Sequence, residues 1–263
     1  MGKNIIDKIS NGIFAKESFD IIERKIIICN RDSCLFFVDG LINDEVMEKI
    51  MEFFYSINDE NKLSDLKTFC EKSVPYVEVS AETDLDKIYT GILSGIMALA
   101  IDDFDGAIML DVRSYPQRDS SEPEKDKVLR GSRDGFVETL VANTALVRRR
   151  IRDRNLRMKY LSAGIETKTD IVICYMDNKV DKKLLAEITQ KIENASVEAL
   201  TMTMQSLSEV IYRHKWYSPF PKVKNTERPD VTASAVLDGN IAILIDNAPS
   251  ALIRPGDSAC FYF

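Results

Sequence analysis

Apolar and polar positions fall into two series that recur along the chain. Leu35-Phe36-Phe37-Val38 is an unbroken apolar run closed by Asp39-Gly40, and Ile171-Val172-Ile173-Cys174-Tyr175 is another, closed by Asp177-Asn178. Short runs of this kind bounded by turn residues read as buried strands. Each is followed by apolar residues at helical spacing, over about residues 43–55 and 181–193. The pairs Asp39/Asp177, Ile42/Val180, Asn43/Asp181, Met47/Leu185 and Ile50/Ile188 are all 138 apart. Asn43 and Asp181 are both good N-caps, so the match extends to the helix start.

A second block repeats in the same order. Residues 96–101, a turn through Asp105-Gly106 and the run Ala107 to Asp111 predict an antiparallel hairpin. Residues 234–237, Asp238-Gly239-Asn240 and the run Ala242 to Asp246 predict another, since Asp-Gly between apolar runs tolerates the positive φ of a tight turn. Ala107/Ala242 and Asp111/Asp246 are 135 apart, which implies a few residues lost between the blocks. Residues 155–165 and 169–175 read as further strands joined at Glu166-Thr167-Lys168, and a short helix or strand is expected near Val231.

Together these patterns predict an α/β protein with mixed sheets of the α+β kind. It holds two similar subdomains from an internal duplication, joined by a polar linker. Residues 1–113 form the first subdomain with an N-terminal extension, and residues 132–263 form the second. Residues 114–131, with two prolines and dense charge, are the linker.

Composition narrows the function classes. The chain has 263 residues, 45% hydrophobic and 29% charged, and a formal net charge of −7 from 35 basic and 42 acidic side chains. An acidic chain is a poor general binder of nucleic acid, which rests on a positive field. The cysteines Cys29, Cys34, Cys70, Cys174 and Cys260 are scattered and odd in number, which fits a reducing compartment rather than a disulfide framework. No segment approaches the ~20 apolar residues of a membrane helix, and Met1-Gly2-Lys3 starts no signal peptide. By itself the chain is expected to be soluble and intracellular.

Candidate chemistry is sparse. His214 is the only histidine and no CxxC occurs, so no metal site and no cofactor is expected. Phosphate-binding glycine loops and a serine elbow are absent. Asp39, Asp111, Asp177 and Asp246 follow apolar runs, where carboxylates can hold Mg²⁺ for phosphoryl transfer or hydrolysis. The competing reading, favoured here, makes them turn and cap residues. The chain is accordingly read as a non-enzyme, with the Mg²⁺-dependent enzyme as the alternative.

Residues 132–152, SRDGFVETLVANTALVRRRIR, carry the most specific pattern. Phe136, Leu140, Val147 and Ile151 recur at helical spacing, Asn143 and Thr144 lie between them, and Arg148, Arg149, Arg150 and Arg152 close the helix, where cations suit the dipole. The ordered string Arg133, Gly135-Phe136-Val137-Glu138, Asn143, Arg148-Arg149-Arg150-Ile151 resembles the signature helix of the GerA-type family, the A subunits of bacterial spore nutrient-germinant receptors. The run Ile241 to Pro249, containing Asp246, resembles that family's strand before its membrane region. The basic run is open to three readings: nucleic acid, anionic lipid, or packing against the protein or a partner. Aromatics for base stacking are nearly absent beside it, and packing is preferred.

The resemblance implies two α/β subdomains distantly like substrate-binding proteins. It implies a role in sensing or transmitting a nutrient signal, and assembly with B and C subunits and other A subunits in the spore inner membrane. On this reading the chain is the soluble region on the cytoplasmic (core) side, attached to the membrane through segments it lacks. A small nutrient, an amino acid or sugar, is a possible ligand between the subdomains. Arg113, Arg133 and Arg149 are the candidate binders of its anionic group, because guanidinium grips carboxylate bidentately; the competing reading, favoured here, pairs them with Glu138, Asp153 or other acids, so that they only brace the interface.

Overall fold

The computed structural model describes residues 4–57, 65–115, 134–164, 167–194 and 223–255. His214, Arg133, Cys260 and most of the 114–131 linker lie outside these residues. The chain divides into two compact units. One is Met1–Pro116 with Arg152–Arg154; the other is Gln117–Ile151 with Asn155–Phe263.

In the first unit the order is α1 (Ile5–Gly12), β1 (Ile21–Ile28), β2 (Arg31–Val38), α2 (Asp44–Ser56), α3 (Leu66–Ser73), β3 (Val79–Glu82), α4 (Leu85–Leu93), β4 (Met97–Ile101) and β5 (Ala107–Leu110). The strands form one sheet in the order β1-β2-β4-β5-β3. Cys29 and Asn30, both at positive φ, close the two-residue β1–β2 hairpin. The sheet is covered on both faces, which is why its central strands read as continuous apolar runs. Leu35, Phe37, Met97, Leu99, Ile101, Ile108 and Leu110 pack with Ile50 and Phe54 of α2 and Phe69 of α3. Cys34, Phe36, Ala98, Ala100, Ala107 and Met109 point the other way, toward Ile5 and Ile9 of α1 and Ile88 and Ile92 of α4.

The second unit runs α5 (Leu140–Arg150), β6 (Leu156–Ala163), β7 (Thr169–Met176), α6 (Lys182–Glu193), β8 (Lys224–Thr226), α7 (Pro229–Leu237), β9 (Ile241–Ile245) and β10 (Ala251–Arg254). Its sheet order, β6-β7-β9-β10-β8, is that of the first unit. Ile171, Ile173, Ile241, Ile243 and Ile245 pack with Leu184, Ile188 and Ile192 of α6, while α5 and α7 pack on each other and on β7 and β9.

The duplication holds ladder by ladder. Ile21 pairs with Val38 as Leu156 does with Met176, Ser33 with Ile101 as Ile171 with Ile245, and Met97 with Leu110 as Ile241 with Arg254. Every described ladder is antiparallel, so the parallel component of the expected mixed sheets is missing among these residues.

Two sequence expectations change. Asp238-Gly239-Asn240 is no hairpin turn; it terminates α7, with Asp238 N–H donating to Ser234 C=O, Asn240 N–H to Ala235 C=O and Gly239 at φ 91°. Ser94-Gly95-Ile96 ends α4 with the same bonds 144 residues earlier, to Thr90 and Gly91, and Gly95 at φ 97°. A left-handed glycine suits a helix C-terminus as well as a hairpin, so the local signal was ambiguous. The second hairpin is β9–β10, and Asp246 corresponds to Asp102, not Asp111. Asp102 N–H donates to Asp32 C=O at 2.8 Å and Asp246 N–H to Asp170 C=O at 2.9 Å. Second, the N-terminal extension is part of the repeat: α1 and β1 match α5 and β6 at an offset of 135.

Candidate functional site

The signature segment forms an irregular strap, residues 134–139, leading into α5. The helix starts at Leu140, so Phe136 sits on the strap rather than on a helical stripe, yet it is buried, as are Leu140, Val147 and Ile151. The strap is held by bonds to several elements. Asn143 accepts from Val137 N–H at 2.8 Å and donates Nδ2–H to Val137 C=O at 2.6 Å, a two-point grip that replaces a neighbouring strand. Phe136 N–H donates to Glu227 C=O at 2.9 Å and Asn247 N–H to Glu138 C=O at 2.8 Å. Gly135 is buried, while the Glu138 side chain is exposed.

Thr139 occupies the N-cap position of α5 but makes no side-chain cap. The cap comes from Asp246 at the end of β9, whose Oδ1 accepts from Leu140 N–H at 3.3 Å. A carboxylate at a helix N-terminus also opposes the positive end of the dipole. At the other end, Arg148 is fully buried and donates from Nη2 to Leu156 C=O at 3.2 Å. Arg150 bonds the Asp134 carboxylate and, through Nη1, Leu146 C=O at 3.0 Å. Arg148 of the basic run is therefore buried and bonded, and Arg157 is buried too. A buried guanidinium is tolerable only when its donors are satisfied, and such residues brace the fold.

The ligand candidates fare differently. Arg113 belongs to the first unit and is spent on Asp111: its Nε donates to Oδ1 at 2.6 Å and its Nη2 pairs with Oδ2, while Nη1 reaches Tyr115 Oη at 3.3 Å. That bond to Arg113 holds the Asp111 carboxyl below the usual carboxylate range despite partial burial. Arg149 is partly buried in the second unit and has contacts of its own. Arg133 lies outside the described residues.

Three of the strand-end aspartates have a structural task for their side chains. Asp111 pairs with Arg113, Asp177 with Lys182, and Asp246 caps α5. Asp39 N–H donates to Asp20 C=O, as Asp177 N–H does to Asn155 C=O. Among the described residues no group of three His, Cys, Asp or Glu side chains could hold a metal. Burial pushes the Cys34 thiol up to about 12, so it is an inert core thiol. The sequence missed the partners of the signature residues. Asp134 and Glu227 carry no motif of their own, and Asp246 lies 106 residues from the amide that it caps.

The model of the family described as Bacillus/Clostridium GerA spore germination protein matches residues 8–262. The chain is 38% identical to stage V sporulation protein AF of Bacillus subtilis over 90% of its own length and 48% of that protein. It is 34% identical to spore germination protein A1 of Bacillus subtilis, over 91% of the chain and 49% of that protein. The chain thus spans about half the length of these curated relatives. The crystal structure of the N-terminal domain of the A subunit of the Bacillus megaterium spore germinant receptor GerK3 superposes with a TM-score of 0.71, covering 98% of this chain and 95% of that one at 24% identity.

Proposed function

The chain belongs to the Bacillus/Clostridium GerA spore germination protein family, and on that premise we propose that it serves as the N-terminal domain of a germinant-receptor A subunit, transmitting a nutrient signal and assembling with partner subunits rather than catalysing a reaction. The observation that carries this reading is the use of the signature residues. Asn143, Arg148, Arg150 and Asp246 each make bonds within the second unit, where they order a strap and a helix. Groups committed in this way support a rigid transmitting element. Arg113 would have to leave Asp111 to bind a nutrient carboxylate, which weakens it as a reader.

In this reading the domain lies on the core side of the spore inner membrane, and B, C and other A subunits are its partners. The free thiols of Cys34 and Cys70 suit such a reducing compartment. Among the described residues no helix is long and apolar enough to cross a membrane. Membrane attachment would come from the half of such a receptor subunit that this chain does not span.

The test is a thermal melt of the chain with amino acids and sugars. A ligand at 100 times its dissociation constant would add about 2.7 kcal/mol of stability. No shift is expected, and Arg113→Ala and Arg149→Ala receptors should keep their nutrient specificity. A nutrient-dependent shift that Arg149→Ala removes would make the domain a sensor. The 38% identity with a stage V sporulation protein favours a second reading, a role outside nutrient reception. Deleting the gene separates the two: a receptor subunit is needed for response to particular nutrients, whereas the second role gives a defect independent of nutrient.

A further inference from the structure

Strand β3 is one of the two edge strands of the first sheet and pairs with β5 alone among the described residues. Asp111 N–H donates to Glu78 C=O at 3.0 Å, continuing the β3–β5 ladder by one residue. Bonded and non-bonded pairs alternate in an antiparallel ladder, so Ser80 and Glu82 also turn their main-chain groups toward β5. Val79 and Ala81 therefore direct an N–H and a C=O each away from the sheet. Both residues line a groove of about 690 Å³ between α3 and the 102–106 turn.

The rest of the groove tells what it would accept. Leu66 and Phe104 give it an apolar floor, and Asp65, Glu71, Asp103 and Asp105 give it four carboxylates. Lys67 is the one basic lining residue and is answered by Glu71 at 3.9 Å. Open edge strands are usually guarded by a lysine, a proline or a bulge. β3 has neither lysine nor proline in Val79–Glu82, while its counterpart β8 begins at Lys224. Topology is shared by the two units, so the acidic open edge is a property of this sequence.

We propose that this groove binds an extended peptide segment of alternating apolar and basic residues, added beside β3 as a sixth strand. Main-chain bonds to Val79 and Ala81 would give affinity, and side chains alternating across the strand would select for charge and apolar bulk. A compact cation would meet the carboxylates but leave the edge amides and carbonyls unpaired.

The experiment titrates the 263-residue chain into a fluorescein-labelled hexapeptide of alternating valine and lysine, read by anisotropy. Saturable binding is expected. It should weaken by about ten-fold or more in Asp103→Asn/Asp105→Asn, with a flatter salt dependence. Asparagine tolerates the φ of 71° found at Asp103. Ala81→Pro removes one outward donor without touching the β5 ladder, and should abolish binding. If circular dichroism shows that this variant fails to fold, the same peptide N-methylated on one edge replaces it and should not bind. No saturable binding, equal binding of a valine–glutamate peptide, or undiminished binding by the asparagine pair overturns the proposal. So does undiminished binding of the N-methylated peptide together with displacement by cadaverine, which would mark a site for small cations.

Discussion

Asp39 follows β2 with its carboxyl partly out of water. Burial raises its pKa; the Gly40 N–H opposes the shift, and Asp44 and Asp20 add to it. The native state then holds its proton at a pH where the unfolded chain has lost it. Stability falls as pH rises through the interval between the unfolded and folded values. Asp39→Asn removes that loss, so its melting temperature should exceed that of the unaltered chain at neutral pH and converge with it below about pH 4. Parallel melting profiles across that range would show that the carboxyl costs nothing. Asn143 makes the opposite kind of contribution. Asn143→Ala leaves both main-chain groups of Val137 without their partner and should cost about 1–3 kcal/mol in chemical denaturation. Asn143→Asp keeps the acceptor but turns a carboxylate toward the Val137 carbonyl, and should do no better. A loss under about 0.5 kcal/mol for both would mean that the strap is held elsewhere. Asn143 and Arg150 stood out in the sequence, but their tasks did not. The partners Val137 and Asp134 become meaningful only once the strap bends back on the helix.

At the scale of elements, periodicity located β2, α2, β7 and α6 because each has an unbroken apolar run or a capped apolar stripe. It passed over β1, whose Glu23-Arg24-Lys25 centre breaks the run. That strand lies at the sheet edge, where Arg24 and Lys25 are exposed and Glu23 accepts from Ser10 Oγ at 2.6 Å. The misread hairpin has a related cause, since Asp-Gly-Asn fits two different turns and only the pairing of β9 with β10 decides between them. The helix-end reading makes a paired prediction. A Cβ on Gly239 would lie 3.2 Å from Lys179 C=O, and one on Gly95 would lie 3.1 Å from Leu41 Cβ. Alanine at either site also pays for left-handed backbone, roughly 1–2 kcal/mol. Gly95→Ala and Gly239→Ala should therefore lower stability by similar amounts in thermal melts. A neutral Gly239→Ala would show that the end of α7 relaxes freely.

For the whole molecule, the duplication was legible because both copies keep the same buried blocks, although the true offsets run 135, 138 and 144 along the chain. Where the two copies differ was less legible, because the differences lie inside equivalent positions. At the 135 offset, buried Arg148 takes the place of buried Ile13, and Arg157 that of Ile22. The second unit thus buries guanidinium groups where the equivalent positions of the first carry isoleucine. Each unit nevertheless has its own sheet and its own apolar core. We propose on that ground that residues 1–113 and 132–263 are separable, with 114–131 as the linker. Brief trypsin treatment should cut first within 114–131, where Arg118, Lys125, Lys127 and Arg130 offer sites. It should leave two resistant pieces, each unfolding in its own cooperative transition. Cleavage inside either sheet before the linker, or loss of both transitions after a single cut at 114–131, would show that neither unit is stable without the other. Retention of both would place the stabilising contacts within each copy, as the separate cores imply.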